Sequence, residues 1–494
     1  MNRKFVQIST LMILLFVHFS CTRNSAPDPD NPIIATVGKK TITVREFKLR
    51  TELTPRPKIY LDKSIALNNL VCEKLLALEA GDVSPLHEHP VYQARIRGIR
   101  EQAMRSELFN QIAYEPVQLD AEEIRYFYDL SRREYRLGFY SIHNDSMAGE
   151  LANRLTNDPA RRQEVFDAID LGTHRPEKTV KWRDPDPLPV HEALYSQTLE
   201  ENQIIGPVKV EDNSYLLFKV IDWADKPVIG QEDVALRAQE VAQKRRWIKA
   251  GHNWTRHILG LMGGRRIEYN PRAFSTIFRM FQTAHQTVKE NTPGQVLEPT
   301  THERENLLVV QALDSELTLL DETFFQIGED LWTVRDFQKE LLAHPLLYRK
   351  AIIPAHEYLD QFKHALADLI RDHYLAQEAY DKKLDNHPTV IKRTQMWEDN
   401  WTALFHRQQL LRQVSSDSLF DSDDIKARTA YWDQYLIFLR KKYAEQIEIN
   451  ETLLDSITLT QIPMYVYDPN APLPMVSPSF PQLTVEPITI LKEK

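Results

Sequence analysis

The sequence predicts a mainly α-helical protein in which a helical module occurs twice, each copy opened by a β-hairpin, with a small α+β block inserted into the first copy. Three observations predict this. The stretch Val37-Gly38-Lys39-Lys40-Thr41-Ile42-Thr43-Val44-Arg45-Glu46-Phe47 returns without a gap as Ile327-Gly328-Glu329-Asp330-Leu331-Trp332-Thr333-Val334-Arg335-Asp336-Phe337. Most of the chain has apolar residues at helical spacing, and only 14 glycines interrupt its 494 residues. The run from Tyr135 to Trp223 reads differently, as short strands alternating with short helices, and the second copy lacks it.

The chain begins with a basic tetrapeptide, Met1-Asn2-Arg3-Lys4, and an apolar run densest over residues 11–17. That run is too short for a comfortable membrane span and reads as a signal peptide over 1–20. It stops at Ser20-Cys21, and a small residue followed by Cys resembles a bacterial lipoprotein signal. The resemblance implies lipidation at Cys21 and a membrane anchor, with Thr22 in place of Asp favouring the periplasmic side of the outer membrane. His18 departs from the usual aliphatic residue, and the alternative is an ordinary secretory signal cleaved nearby, for example after Ala26. Residues 21–32 hold three prolines and read as an extended tether.

The hairpin follows. Gly38 and Gly328 suit the positive φ of a tight turn. Thr43 and Thr333 stand three residues before an acid, a capping-box pattern that starts a helix. Helices are expected over 44–52, 58–80 and 90–114, and Asp120-Ala121-Glu122-Glu123-Ile124 opens another to Ser131. Cys72 lies on the apolar face of the second of these and reads as a buried structural thiol, so the fold must rest on packing without disulfides. The block 135–225 reads βααβαββ: strand 135–142, helices 145–156 and 159–171, strand 179–183, helix 190–196, and a closing hairpin over 206–210 and 215–222. A helix over 232–257, a strand at 265–270 and a helix over 274–289 complete the first module, assigned to 33–134 plus 231–290. Polar residues 291–305 read as a linker.

The second module, 306–461, repeats the hairpin and has helices at 333–342, 356–383 and 388–414. Further matches are Leu76-Ala77-Leu78-Glu79-Ala80 with Leu375-Ala376-Gln377-Glu378-Ala379, and Arg266-Ile267-Glu268-Tyr269-Asn270 with Gln446-Ile447-Glu448-Ile449-Asn450. The last stretch, 462–494, has seven prolines and reads as an extended tail.

Net charge is −9, which argues against a nucleic-acid surface. There is no phosphate-binding Gly-rich loop, no Gly-x-Ser-x-Gly and no His-Glu-x-x-His, so nothing points to a hydrolase, a nucleotide enzyme or a bound cofactor. His87-Glu88-His89 has no partner cluster nearby in sequence and reads as a solvated loop, not a metal site. Trp397 and Trp401, at i and i+4, read as packing residues or as an exposed binding patch. His252 and His257 read as surface or packing residues, and Lys244-Arg245-Arg246 as a solvated basic run.

The hairpin with its helix start, the Asp-x-Glu-Glu-Ile motif and the inserted block together resemble the SurA/PrsA class of periplasmic folding factors. The resemblance covers about residues 33–274 in full and the helical module again over 320–455. It is carried in the insert by Leu188-Pro189-Val190-His191-Glu192-Ala193-Leu194, Gly206-Pro207-Val208 and Ser214-Tyr215-Leu216-Leu217-Phe218-Lys219-Val220. It implies a helical chaperone module bearing a parvulin-like peptidyl-prolyl isomerase domain.

Active members carry a His on the first and last strands. Here those positions fall on Phe139, or Tyr140 with a one-residue slip, and on Leu216. The glycine-rich turn before the central Trp182 is missing too, and His143 lies just past the first strand. Phe139, Tyr140, Trp182, Leu194 and Leu216 are therefore expected to mark a peptide groove without its catalytic floor. The function implied is an ATP-independent envelope chaperone with no cofactor, binding unfolded secreted or outer-membrane polypeptides. The alternatives are an active prolyl isomerase and a structural lipoprotein subunit of an envelope assembly complex.

Overall fold

Both tight turns form as their glycines require: Gly38 has φ +56° and Gly328 φ +61°. In this computed structural model the described residues are 31–52, 63–81, 84–157, 176–184, 186–211, 213–290, 301–350, 353–416, 425–459 and 477–488. They are mainly helical, with three small antiparallel sheets. Cys21 and the expected helix at 159–171 lie outside the described residues.

The first hairpin is β1 (Ile33–Val37) and β2 (Lys40–Thr43). It leads into α1 (Val44–Glu52), where the Glu46 amide donates to Thr43 Oγ1 at 3.2 Å. Helix α2 (Lys63–Ala80) buries nearly its whole middle, Cys72 included. Helix α3 (Pro90–Phe109) continues through a π-turn at Asn110–Tyr114, and α4 (Ala121–Ser131) is capped by Asp120.

The insert then runs β3 (Arg133–Ile142), α5 (Asp145–Asn157), β4 (Glu177–Val180), α6 (Leu188–Tyr195), β5 (Ile204–Glu211) and β6 (Ser214–Asp225). Its sheet order is β4-β3-β6-β5. Next come α7 (Gln231–Met262), β7 (Ile267–Tyr269), α8 (Pro271–Glu290), α9 (Thr301–Asp314) and α10 (Leu317–Leu320). The second hairpin, β8 (Thr323–Ile327) and β9 (Asp330–Thr333), enters α11 (Val334–Ala343) through a complete capping box between Thr333 and Asp336. Then follow α12 (Tyr358–Asp381), α13 (Pro388–Ser416), α14 (Ile425–Lys442), β10 (Ile447–Ile449) and α15 (Glu451–Ser456).

The third strand of each hairpin sheet corrects the expected grouping of segments. β1 pairs with β10, matching Ala35 with Ile449 and Val37 with Ile447. β8 pairs with β7, matching Ile267 with Ile327 and Tyr269 with Phe325. Each hairpin thus takes its third strand from the segment expected to belong to the other module, whereas the grouping of 33–134 with 231–290 had put Ile267–Tyr269 with the first hairpin. The two third strands have one sequence pattern, Ile-Glu-x-Asn, so the sequence does not say which hairpin each joins. In the structure α7, whose 32 residues cover about 48 Å, leads from the insert into β7, which joins the second hairpin.

Core packing follows the exchange. Ile34, Val37, Ile42, Phe47 and the apolar face of α2 pack with Trp432, Leu436 and Leu439 of α14. Phe324, Phe337 and Phe362 pack instead with Ile277 and Phe281 of α8. Between these cores, Met104 and Leu108 of α3 meet Ala250 and Trp254 of α7, Leu375 and Ala379 of α12, and Val390 of α13.

Three smaller expectations also change. Of the linker expected at 291–305, residues 291–300 lie outside the described residues and 301–305 already belong to α9. The Pro-rich tail is without regular structure over 477–488, as its prolines dictate, yet it docks: Phe480 and Leu483 are buried in the first core. The basic run is not simply solvated. Lys244 donates to the Trp182 carbonyl at 2.8 Å, Arg245 pairs with Glu123 at 3.3 Å, and Arg246 reaches the Val117 carbonyl at 3.4 Å, tying α7 to the insert and the chain before it. Trp397 and Trp401 pack edge to face at 5.3 Å, and Tyr92 packs on Trp401.

A buried ionic cluster joins the first hairpin, α2 and α13. Lys74 pairs with Glu46 at 2.8 Å and Asp399 at 3.0 Å, and Lys40 also bonds Asp399. Burial alone would raise the Asp399 carboxyl, but the Lys74 and Lys40 ammonium groups outweigh it and hold the carboxyl below its usual range. A carboxyl whose folded pKa is depressed contributes stability that is present above its unfolded value and lost as pH falls through the folded one. Asp399→Asn should therefore be less stable than the native chain at neutral pH, with the gap closing below about pH 4. Urea titrations of both proteins between neutral and acid pH check this, and a gap that stays constant with pH would contradict it.

Candidate functional site: the apolar face of the inserted sheet

Strand alternation sends the side chains of β3 to opposite faces. Tyr135, Leu137 and Phe139 point to one face. There they join Leu216, Phe218 and Val220 of β6, Val208 and Val210 of β5, and Val190, Leu194 and Tyr195 of α6. Phe139 lies opposite Phe218 and Ser141 opposite Leu216, so Phe139 and Leu216 are diagonal neighbours on adjacent strands. Val208 sits across from Leu216. Four of the five expected groove residues, Phe139, Trp182, Leu194 and Leu216, thus gather in one cluster. Tyr140 does not. It lies on the other face against Ile142, Leu151 and Leu217, which is the one-residue inversion a strand imposes.

The cluster is graded. Trp182 and Leu194 are buried, whereas Phe139, Leu216, Val208 and Val210 are only half-buried and form an apolar strip. Gly206 keeps the neighbouring strands close: with φ +104°, any Cβ there would stand 2.6 Å from the Leu216 carbonyl oxygen.

Tyr195 and His191 are packed within this cluster. The Tyr195 hydroxyl donates to the carbonyls of Arg133 and Val180, both at 3.2 Å. His191 lies beneath the tryptophan, its ring 4.6 Å from that of Trp182. Burial, with the nearby cations of Lys244 and Arg245, pushes its pKa down to about 3, so it is a neutral packing ring at physiological pH. His143, just past β3, is exposed. Phe139 and Leu216, the positions expected from the resemblance to stand where an active isomerase has histidines, lie on this apolar face. Such a surface can hold an apolar or proline-bearing segment, and the side chains of Phe139 and Leu216 themselves cannot hydrogen-bond a twisting amide.

A second concavity was not foreseen. A cavity of about 650 Å³ lies between α3 and the β9–α11 turn, walled by Ala94, Leu331, Trp332 and Leu342, with Arg97 and Glu340 among its polar groups. A signal for it existed in the aligned hairpins: Leu331-Trp332 stands where the first copy has Thr41-Ile42, and Leu331 is 55% exposed.

Nearby, Glu101, Glu340 and His344 have ligand atoms within 4.8 Å of one another, a grouping that could hold a metal ion. Their lone pairs are engaged, however. Arg97 donates to Glu340 at 3.0 Å and to Glu101 at 3.3 Å, Tyr380 donates to Glu101 at 3.2 Å, and His344 bonds Glu101. Burial would raise the Glu101 carboxyl, but His344 and Arg97 outweigh it and hold it below the usual range. The grouping is an ion-paired seam between α3 and α11.

His87 bonds the Thr402 hydroxyl at 3.1 Å, so it links a turn to α13. Among the described residues no helix is long and apolar enough to cross a membrane. No family model matches this chain, and no curated protein matches it either.

Proposed function

We propose that this chain is an ATP-independent chaperone of the bacterial cell envelope that binds unfolded secreted or outer-membrane polypeptides. In this reading it is anchored by lipid at Cys21, and its parvulin-like insert binds clients without isomerising them. The recurring order of hairpin, helices and Ile-Glu-x-Asn strand is read as a duplicated SurA-like module. Its support is local: both glycines take positive φ, Thr43 and Thr333 both cap the helix that follows, and Asn270 and Asn450 both accept amide protons at a helix start.

The observation that carries the functional reading is the half-buried strip Phe139–Leu216–Val208–Val210. Half-exposed apolar side chains on a rigid sheet suit transient cover for an unfolded segment. The second concavity at Trp332 adds a further contact area, and weak sites on one chain reinforce each other.

Light scattering from a urea-diluted porin should fall when the chain is present. The double variant Phe139→Arg, Leu216→Arg should lose roughly three-fold or more of that protection, with its circular dichroism unchanged. No suppression by the native chain at several-fold molar excess would overturn the proposal. A proline-peptide assay should give a rate near the uncatalysed one, and turnover of an ordinary isomerase would restore the catalytic alternative.

A further inference from the structure

Helix α2 carries two adjacent asparagines, Asn68 and Asn69, that are fully buried. A buried amide needs partners, and both find them in the C-terminal segment. Asn69 Oδ1 accepts from the amides of Leu483 at 2.7 Å and Thr484 at 3.0 Å, while its Nδ2 donates to the Thr484 carbonyl at 2.8 Å. Asn68 donates to the Glu486 carbonyl at 2.7 Å. Trp432 of α14 donates to the Leu483 carbonyl at 2.8 Å, Arg50 of α1 to the Ser479 carbonyl at 2.9 Å, and Ser64 accepts from the Ile488 amide at 3.0 Å.

All of these bonds run to main-chain atoms of the segment. Its side chains contribute two large apolar anchors, Phe480 and Leu483, three residues apart, with Pro478, Pro481 and Thr484 also buried beside them, while Ser479, Gln482, Val485 and Glu486 are exposed. Main-chain recognition with a few side-chain pockets is how a groove takes up extended peptide of varied sequence.

We infer that the groove between α1, α2 and α14 is a binding site for extended polypeptide. The site takes a proline-containing segment with an aromatic anchor and an aliphatic one three residues on, and residues 479–488 occupy it in cis. The segment is part of the same molecule, so its binding is intramolecular and a ligand in trans must displace it. The segment then acts as a built-in competitor: a client reaches the groove only when its own matching stretch outcompetes residues 479–488. The client identity rests on the chaperone reading, while the peptide chemistry of the groove does not.

The test uses the full chain and a fluorescent synthetic peptide of residues 477–488. In the native chain the peptide should bind weakly. In the released variant Phe480→Ser, Leu483→Ser it should bind at least about ten-fold tighter, and adding Asn69→Ala should abolish that gain. A folded released variant that binds the peptide no better than the native chain overturns the inference.

Hydrogen exchange on the native protein decides the matter if that variant does not fold. The amides of Leu483 and Thr484 should exchange through a local opening, faster than the amides pairing β1 with β10. Exchange of both only together with that sheet would make the segment a permanent part of the core and overturn the inference. No aggregating client enters either measurement, so failure here leaves the light-scattering result standing, and the reverse also holds.

Discussion

Replacing Glu73 by Gln should cost the first core about 3–5 kcal/mol, the range for breaking one partner of a buried ion pair. Glu73 and Arg50 are both fully buried, and they meet fork to fork, Nη1 to Oε1 at 3.0 Å and Nη2 to Oε2 at 2.8 Å. Asn400 of α13 donates a third bond to Glu73 at 2.7 Å. A neutral amide would leave the guanidinium charged, dry and half-paired. Urea unfolding followed by tryptophan fluorescence should show the midpoint falling sharply. The double variant Arg50→Met, Glu73→Met should recover much of the loss, because two apolar side chains of similar volume remove the charge problem. A single variant as stable as the native protein would mean that the pair contributes nothing.

The second large effect is expected at Gly98. This glycine sits inside α3, where helix propensity alone would favour Ala. A Cβ added there would stand 2.0 Å from the carbonyl oxygen of Ala343 at the end of α11. The obstacle is backbone, so one helix must move. Gly98→Ala should cost about 1–3 kcal/mol, as overpacking does, and Gly98→Val more. The shift should loosen the Arg97–Glu340 and Glu101–His344 bonds on either side and change the shape of the Trp332 cavity. Gly149, in α5, is the control, since an added Cβ there meets nothing within 4 Å. Gly149→Ala should be neutral or stabilising by up to about 1 kcal/mol. Equal melting temperatures for Gly98→Ala and the native chain would refute the close-approach argument.

How much of this was legible beforehand depends on the range of the interaction. Turns and caps are local, so Gly38, Gly328, Thr43 and Thr333 were readable from a few residues each. Strand alternation is local too, which is why Phe139 and Leu216 could be placed on one face. Tyr140 came with them only because a one-residue slip was left open, and its side chain lies on the opposite face from Leu216. The partner of each third strand was not readable, because Ile267-Glu268-Tyr269 and Ile447-Glu448-Ile449 offer the same edge. The docking of residues 477–488 was hidden for a similar reason. Its prolines announce an extended chain, but the signal for where it docks is a pair of asparagines on a helix more than 400 residues earlier. The Trp332 cavity needs α3 and β9 side by side, which only the tertiary fold supplies.

The crossed strands also set a timetable for synthesis. Strand β1 is made early, yet its partner Ile447–Ile449 is made more than 400 residues later. At 5–20 residues per second this is a wait of roughly 20–80 s. Through that interval the N-terminal hairpin keeps one edge unpaired, the kind of edge that invites foreign strands. The proposed guardian of unfinished chains is thus, while being made, an unfinished chain of the same kind.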